Sequence, residues 1–343
     1  MATAFVPRTA FPTLESIPRS YFLGHHRAGL SKMKSLLADI DLIIECRDYR
    51  IPLTSRNPMF EESLAGRERL IVYTKKDLGS SGGQAGRQRE HIIREWHAPA
   101  PVMFTSHVNR QDIKNVLKVA KDHAAQLSSL TGSRMMVVGM PNVGKSSLLN
   151  ALRRVGVGKG KAAYTGAQPG ITRKIATGVK IIERSEGEEG VYLLDTPGVF
   201  MPYVPNAEAM LKLALCGSVK DTIIPPITLA DFLLYRLNLS DPTCYSRYHE
   251  PTNDIISLLD SIARQTGRLQ KGGSPDLDAT ALWVIQRWRG GYVGRLMLDE
   301  VTPDGLERNR REEEELGVSL SQAKKMAKQE RRDRINAKHD AME

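Results

Sequence analysis

The stretch "RMMVVGMPNVGKSSLLNAL", residues 134–152, decides the fold. An apolar run leads into Gly139, four residues, then Gly144-Lys145-Ser146, and an apolar periodic segment follows. This is the spacing of a phosphate-binding loop between a strand and a helix. The glycines let backbone N–H groups turn inward around phosphate oxygens, and the helix adds its positive N-terminal end. The pattern predicts that Lys145 reaches the terminal phosphates and that Ser146 ligates Mg²⁺. Asn142, Val143 and Ser147 complete the set of loop residues expected at the nucleotide.

Outward from the loop, short apolar runs recur, each ending in a polar turn: residues 41–48, 70–77, 101–106, 134–140 and 191–198. Helical periodicity fills 86–97, 111–129 and 145–154. Buried strands alternating with helices predict a mostly parallel α/β sheet with helices on both faces. Residues 173–183, followed by "RSEGEEG", predict one hairpin joined to that sheet. After Phe200 the pattern changes to i, i+3, i+4 spacing in 206–221, 229–238 and 253–267, with Asn253 as an N-cap and Gly267 as a stop. The expected division is an N-terminal extension (1–20), a nucleotide domain (21–202), a helical domain (203–306) and a charged tail (307–343), the tail being a solvated helix or disordered.

The chain has 343 residues, 41% hydrophobic and 26% charged, with no apolar run long enough to span a bilayer. Its three cysteines, Cys46, Cys216 and Cys244, are far apart and imply neither a disulfide framework nor a zinc site. The formal charge of +10 lies almost wholly in the first 200 residues, and 151–182 hold seven Lys/Arg and no acid. Such a stripe suits an RNA or DNA backbone, with an ordinary basic surface as the alternative. Up to Lys34 the only acid is Glu15 among Arg8, Arg19, Arg27, Lys32 and Lys34, the bias of a mitochondrial import segment.

Which nucleotide is bound depends on three further pieces. In "LLDTPGV", Asp195 ends a strand, where it can hold Mg²⁺ through water, and Gly198 can offer its N–H to a γ-phosphate. Thr172, in "AQPGITRK", can close over Mg²⁺ when that phosphate is present. The third piece precedes the phosphate loop. "LIVYTKKDL" (70–78) ends in Thr74-Lys75-Lys76-Asp77, and "FTSH" places Ser106 after the next strand. A carboxylate at Asp77 would accept from guanine N1–H and N2–H₂, a pair that adenine lacks. The Lys75 stem would cover the base, and the Ser106 loop would support guanine O6. A solvated Lys-Lys-Asp turn is the bland alternative. All these pieces end strands, and ligands in α/β sheets collect at the carboxyl ends of strands.

The order is therefore base-reading motif, serine loop, phosphate loop, switch threonine, Asp-Thr-Pro-Gly. With "YFLGHHRAGLSKM" (21–33) and "ECRDYRIPLTSRNP" (45–58), the chain resembles the circularly permuted ribosome-assembly GTPases of the YlqF/RbgA type, and most their mitochondrial counterparts. The resemblance covers about residues 20–300. It implies GTP and GDP as ligands, hydrolysis of GTP, and action late in assembly of the large mitochondrial ribosomal subunit with its rRNA. It further implies a matrix location with peripheral inner-membrane association; no DNA partner and a monomeric chain are expected. The site usually given to a water-orienting Gln holds Val199, so slow intrinsic hydrolysis is expected. Two candidates remain for the missing group. Asn142 would hold a K⁺, or only stabilise the loop. His25, in Phe22-Leu23-Gly24-His25-His26, departs from the family's Phe-Pro-Gly-His-Met at two positions, so the choice between the two histidines stays open. A nucleotide-gated module for another RNA particle, or an ATP-using P-loop enzyme, are the alternatives.

Overall fold

In a computed structural model of the chain, the described residues are 5–12, 37–79, 82–127, 132–160, 178–183, 190–195 and 203–315. Residues 1–301 and 302–343 cluster as two compact units. In the second, residues 305–315 are helical, with Asp304–Arg308 and Glu307–Arg311 ion pairs one turn apart.

The first unit opens its sheet with β1 (Leu42–Asp48), followed by α1 (Pro58–Ser63), β2 (Arg69–Thr74), α2 (Gly83–His97), β3 (Val102–Phe104) and α3 (Arg110–Leu127). Then come β4 (Ser133–Val138), α4 (Lys145–Val157), β5 (Val179–Ile182) and β6 (Val191–Asp195). The strand order is β3-β2-β1-β4-β6-β5. Every pairing is parallel except β5 with β6, the expected hairpin. β1 is buried along its whole length, as a central strand covered on both faces must be. Leu42, Ile44 and Cys46 point into the main core, while Ile43 packs with Phe60, Leu64 and Met136 on the opposite side. That side also takes Glu45 and Arg47, which are paired with each other, and Arg47 reaches Glu61 of α1 at 2.7 Å.

Beyond the sheet lie α5 (Ala207–Leu215), α6 (Pro226–Ser240), α7 (Ile255–Thr266) and α8 (Leu277–Arg289). Asn206 and Asp276 cap α5 and α8 by accepting from Ala209 N and Ala279 N. At α7 the cap is Asp254, accepting from Ile256 N at 2.9 Å, not the expected Asn253. Asn253 instead holds the segment at residues 6–8, donating to the Val6 carbonyl and accepting from Arg8 N. Gly267 ends α7 in the left-handed conformation, as expected. Residues 283–300 begin inside α8 and leave it through a glycine turn.

The helical elements pack into the same core as the sheet: Val137, Leu148, Met210, Leu213 and Trp288 belong to one buried cluster. Polar bonds reinforce the join. The Asp299 carboxylate accepts from Leu53 N, Thr54 N and Thr54 Oγ1 at 2.7–2.9 Å, and Leu298 N donates to Arg50 O.

Candidate functional site

The parallel strands β1, β2, β3, β4 and β6 all end on one edge of the sheet, and the candidate residues gather there. β4 runs into the loop 139–144 and then α4. Gly139 has φ 142, and a Cβ on it would lie 2.3 Å from the Cys46 carbonyl at the end of β1. Only glycine lets the loop leave the sheet there. Lys145 is buried, its ammonium 2.9 Å from Gly139 O and 2.6 Å from Met140 O. Ser146 and Ser147 sit half-buried in the first turn of α4. Asp195 closes β6, in register with Val137 two residues before Gly139.

Thr74 lies between the two halves of the site. It is buried, and its hydroxyl is within hydrogen-bonding reach of the Val143 carbonyl in the phosphate loop and of Arg47 O at 3.1 Å. A hydroxyl has one proton to give. Thr74 thus braces the phosphate loop and has no amide left over for a base.

Lys75 adopts φ 59, a left-handed conformation rare outside glycine and asparagine. Its ammonium reaches Asp48 Oδ2 at 2.9 Å and the backbone carbonyl of Asn142. Asp48 is fully buried and also takes a two-pronged bond from Arg50, at 3.0 and 2.8 Å. Burial pushes the Asp48 carboxyl up, but Arg50 and Lys75 outweigh it and hold it well below the usual carboxylate range. Burial also draws the Lys75 ammonium down from its ordinary value. The Arg50 guanidinium lies 4.8 Å over the Trp288 ring. Asp48 thus ties the Lys75 turn to α8 through Arg50.

Lys76 pairs with Glu90 of α2 at 2.8 Å. Asp77 follows in a short 3₁₀ turn, and its Oδ1 is buried with no hydrogen-bond partner among the described residues. A buried carboxylate oxygen without a donor is costly, and the N–H edge of guanine is a donor of the right kind. Ser106 is buried, and its N–H donates to Asp112 Oδ2 at 2.9 Å. The turn is held to β2 by Thr105 N to Tyr73 O (2.7 Å) and by Lys76 N to Thr105 O (3.1 Å). The two base-side turns are thus one unit, with the Ser106 N–H used internally.

Asn142 is the second non-glycine residue with positive φ, at 58°. Its side-chain amide donates to the Gly217 carbonyl, just beyond α5, at 2.7 Å. No sequence spacing signals this contact across 75 residues. His25, Thr172 and Gly198 lie outside the described residues, as do residues 161–177 of the basic stripe.

A phosphate loop on a central strand, a carboxylate two strands away with one buried oxygen lacking a donor among the described residues, and the base motif preceding the loop in sequence define a circularly permuted P-loop GTPase. The 50S ribosome-binding GTPase family matches residues 134–258, from the start of β4 into α7, leaving the base-reading motif ahead of the match. Mitochondrial GTPase 1 of Schizosaccharomyces pombe is 36% identical over 320 residues, covering 88% of this chain and 95% of its own. Mitochondrial ribosome-associated GTPase 1 of Bos taurus is 38% identical over 311 residues, covering 85% and 92%. A GNP-bound crystal structure of YlqF from T. maritima shares the fold, with TM-score 0.53, 21% identity, and coverage of 80% of this chain and 98% of that one. The chain belongs to the family of mitochondrial, or mitochondrial ribosome-associated, GTPase 1.

Proposed function

We propose that this GTPase is an assembly factor for the large subunit of the mitochondrial ribosome and that its nucleotide state controls its grip on rRNA. The carrying observation is the Asn142–Gly217 hydrogen bond, which joins the phosphate loop directly to the helical elements. Whatever shifts the loop when the γ-phosphate is lost is felt at the end of α5. The relatives' names supply the ribosome and the mitochondrion. A matrix location, peripheral association with the inner membrane and a monomeric chain go with that reading.

Residues 203–306 are the ribosome-facing part in this account. They carry cation–aromatic pairs: Arg268 stands 4.2 Å over Trp283 and Arg287 4.1 Å over the exposed Tyr292. Such pairs offer phosphate contact and stacking faces together. The basic stripe at 151–182 adds charge in the GTP state.

At the nucleotide, Lys75, Lys76, Asp77 and Ser106 form the base side, and Thr74 braces the phosphate loop beside them. Gly139, Asn142, Val143, Gly144, Lys145, Ser146, Ser147 and Gly198 form the phosphate side. Ser146, Thr172 and Asp195 would hold Mg²⁺, which neutralises phosphate charge when bound. Because Gly217 holds the amide nitrogen of Asn142, the carboxamide oxygen is the atom a K⁺ would use; equal turnover in Na⁺ and K⁺ buffers would remove that role. His25 is the candidate to orient water on the ribosome. Replacing it with Ala should then reduce ribosome-stimulated turnover while leaving GTP affinity nearly intact.

The test of the partner is co-sedimentation of the full chain, with a non-hydrolysable GTP analogue, against purified large and small mitochondrial subunits. Pelleting with the large subunit alone is expected. Equal recovery with both, or with neither, would overturn the assignment.

A further inference from the structure

The end of α5 is built with unusual completeness. Gly217 has φ 75, and the turn closes as a Schellman motif: Ser218 N donates to Leu213 O at 2.8 Å and Gly217 N to Ala214 O at 2.9 Å. The guanidinium of Arg289, from the last turn of α8, donates Nε to Leu215 O (2.8 Å) and Nη2 to Ala214 O (2.7 Å). Asp221 holds that guanidinium in place at 2.6 and 3.1 Å. Every one of these groups is more than 70 residues from Arg289 or belongs to a different element from it. The result is a turn whose Gly217 carbonyl points outward at Asn142 Nδ2.

Asn142 needs that hold. A non-glycine residue in the left-handed region costs about 1 kcal/mol or more and persists only where its surroundings over-determine it. Here the backbone carbonyl of Asn142 is held by Lys75 and its side chain by Gly217. Trp288, the neighbour of Arg289, supports the first hold through Arg50 and Asp48; Arg289 supports the second. One helical turn, Trp288-Arg289, thus stands behind both anchors of the loop tip.

We infer that Arg289 is a positioning residue for GTP hydrolysis: it fixes the end of α5, Gly217 fixes Asn142, and Asn142 fixes the phosphate loop. Arg289 itself stays off the nucleotide. The inference concerns turnover by the protein alone, so it stands or falls independently of the ribosomal reading.

A double-mutant cycle on the full chain tests it. Single-turnover GTP hydrolysis and thermal midpoint are measured for wild type, Arg289→Gln, Asn142→Ala and the double variant. Arg289→Gln should lower turnover about tenfold, within the coupling range of groups in one hydrogen-bond network. In the Asn142→Ala background it should lower turnover no further, while its effect on the thermal midpoint remains. A merely structural arginine would give the same loss of turnover in both backgrounds, or a lower midpoint with turnover unchanged; either result overturns the inference. If Arg289→Gln does not fold, Asp221→Asn, which leaves the guanidinium but removes its anchor, runs the same cycle with a loss of about threefold expected and the same two overturning results.

Discussion

At the scale of single residues, the proposed base reading rests on Asp77, whose Oδ1 is buried with no hydrogen-bond donor among the described residues. Two bonds to a charged acceptor contribute about 3 kcal/mol or more together. Asp77→Asn should therefore weaken GDP binding about a hundredfold or more and raise the preference for xanthosine diphosphate, read by competition against a fluorescent nucleotide. Unchanged guanine preference would mean that another group reads the base. Thr74 shows how far a motif can be read from letters alone. Its hydroxyl has one proton to give, and the structure aims it at the phosphate loop. The Ser106 loop was legible as a position but not in its bonding, because the N–H it would offer to a base is held by Asp112, six residues on.

At the scale of elements, the five parallel strands were legible because strands buried on both faces read as near-continuous apolar runs. α8 was not. Its Trp, Arg and Gln obscure the periodicity, and its role depends on partners far away in sequence. The charged network under β1 was equally hidden, since Glu45, Arg47 and Glu61 read as surface residues until the strand is seen to be central. That network has a consequence at the end of α2. Tyr73 meets His97 Nε2 at 2.9 Å. Burial, then the nearby Arg47 guanidinium, push the His97 imidazole down to about 2. A base with a depressed folded pKa contributes fully above its unfolded value, about 6.5, and loses stability as pH falls below that. Between pH 7.5 and 5.5 the loss should be about 1 kcal/mol from this residue. In urea unfolding, His97→Gln should flatten that part of the pH dependence. A His97→Gln variant as acid-sensitive as wild type over this window would place the sensitivity elsewhere.

At the scale of the whole molecule, sheet and helices from residue 1 to 301 share one core, although the sequence changes character at Phe200. Asp299 illustrates the join. It is almost completely buried, accepts three bonds from Leu53 and Thr54, and pairs with Lys212 at 3.2 Å. Burial draws the Lys212 ammonium down, but Asp299 and Glu208 outweigh it and raise it. Removing one partner of a buried pair typically costs about 3 kcal/mol or more. Asp299→Ala should lower stability by that order in a single cooperative transition. Two separated transitions in wild-type calorimetry would show that the helices fold as an independent body.

The same continuity underlies the central claim, that nucleotide state sets the grip on the ribosome. Because coupling free energies of this kind are typically 1–3 kcal/mol, the affinity of the full chain for large mitochondrial subunits should be roughly five- to a hundredfold tighter with a non-hydrolysable GTP analogue than with GDP. Equilibrium binding to purified large subunits in the two nucleotides, at one salt concentration, measures this directly. A clear preference for the GTP analogue is the predicted result; equal affinity in the two states would contradict it.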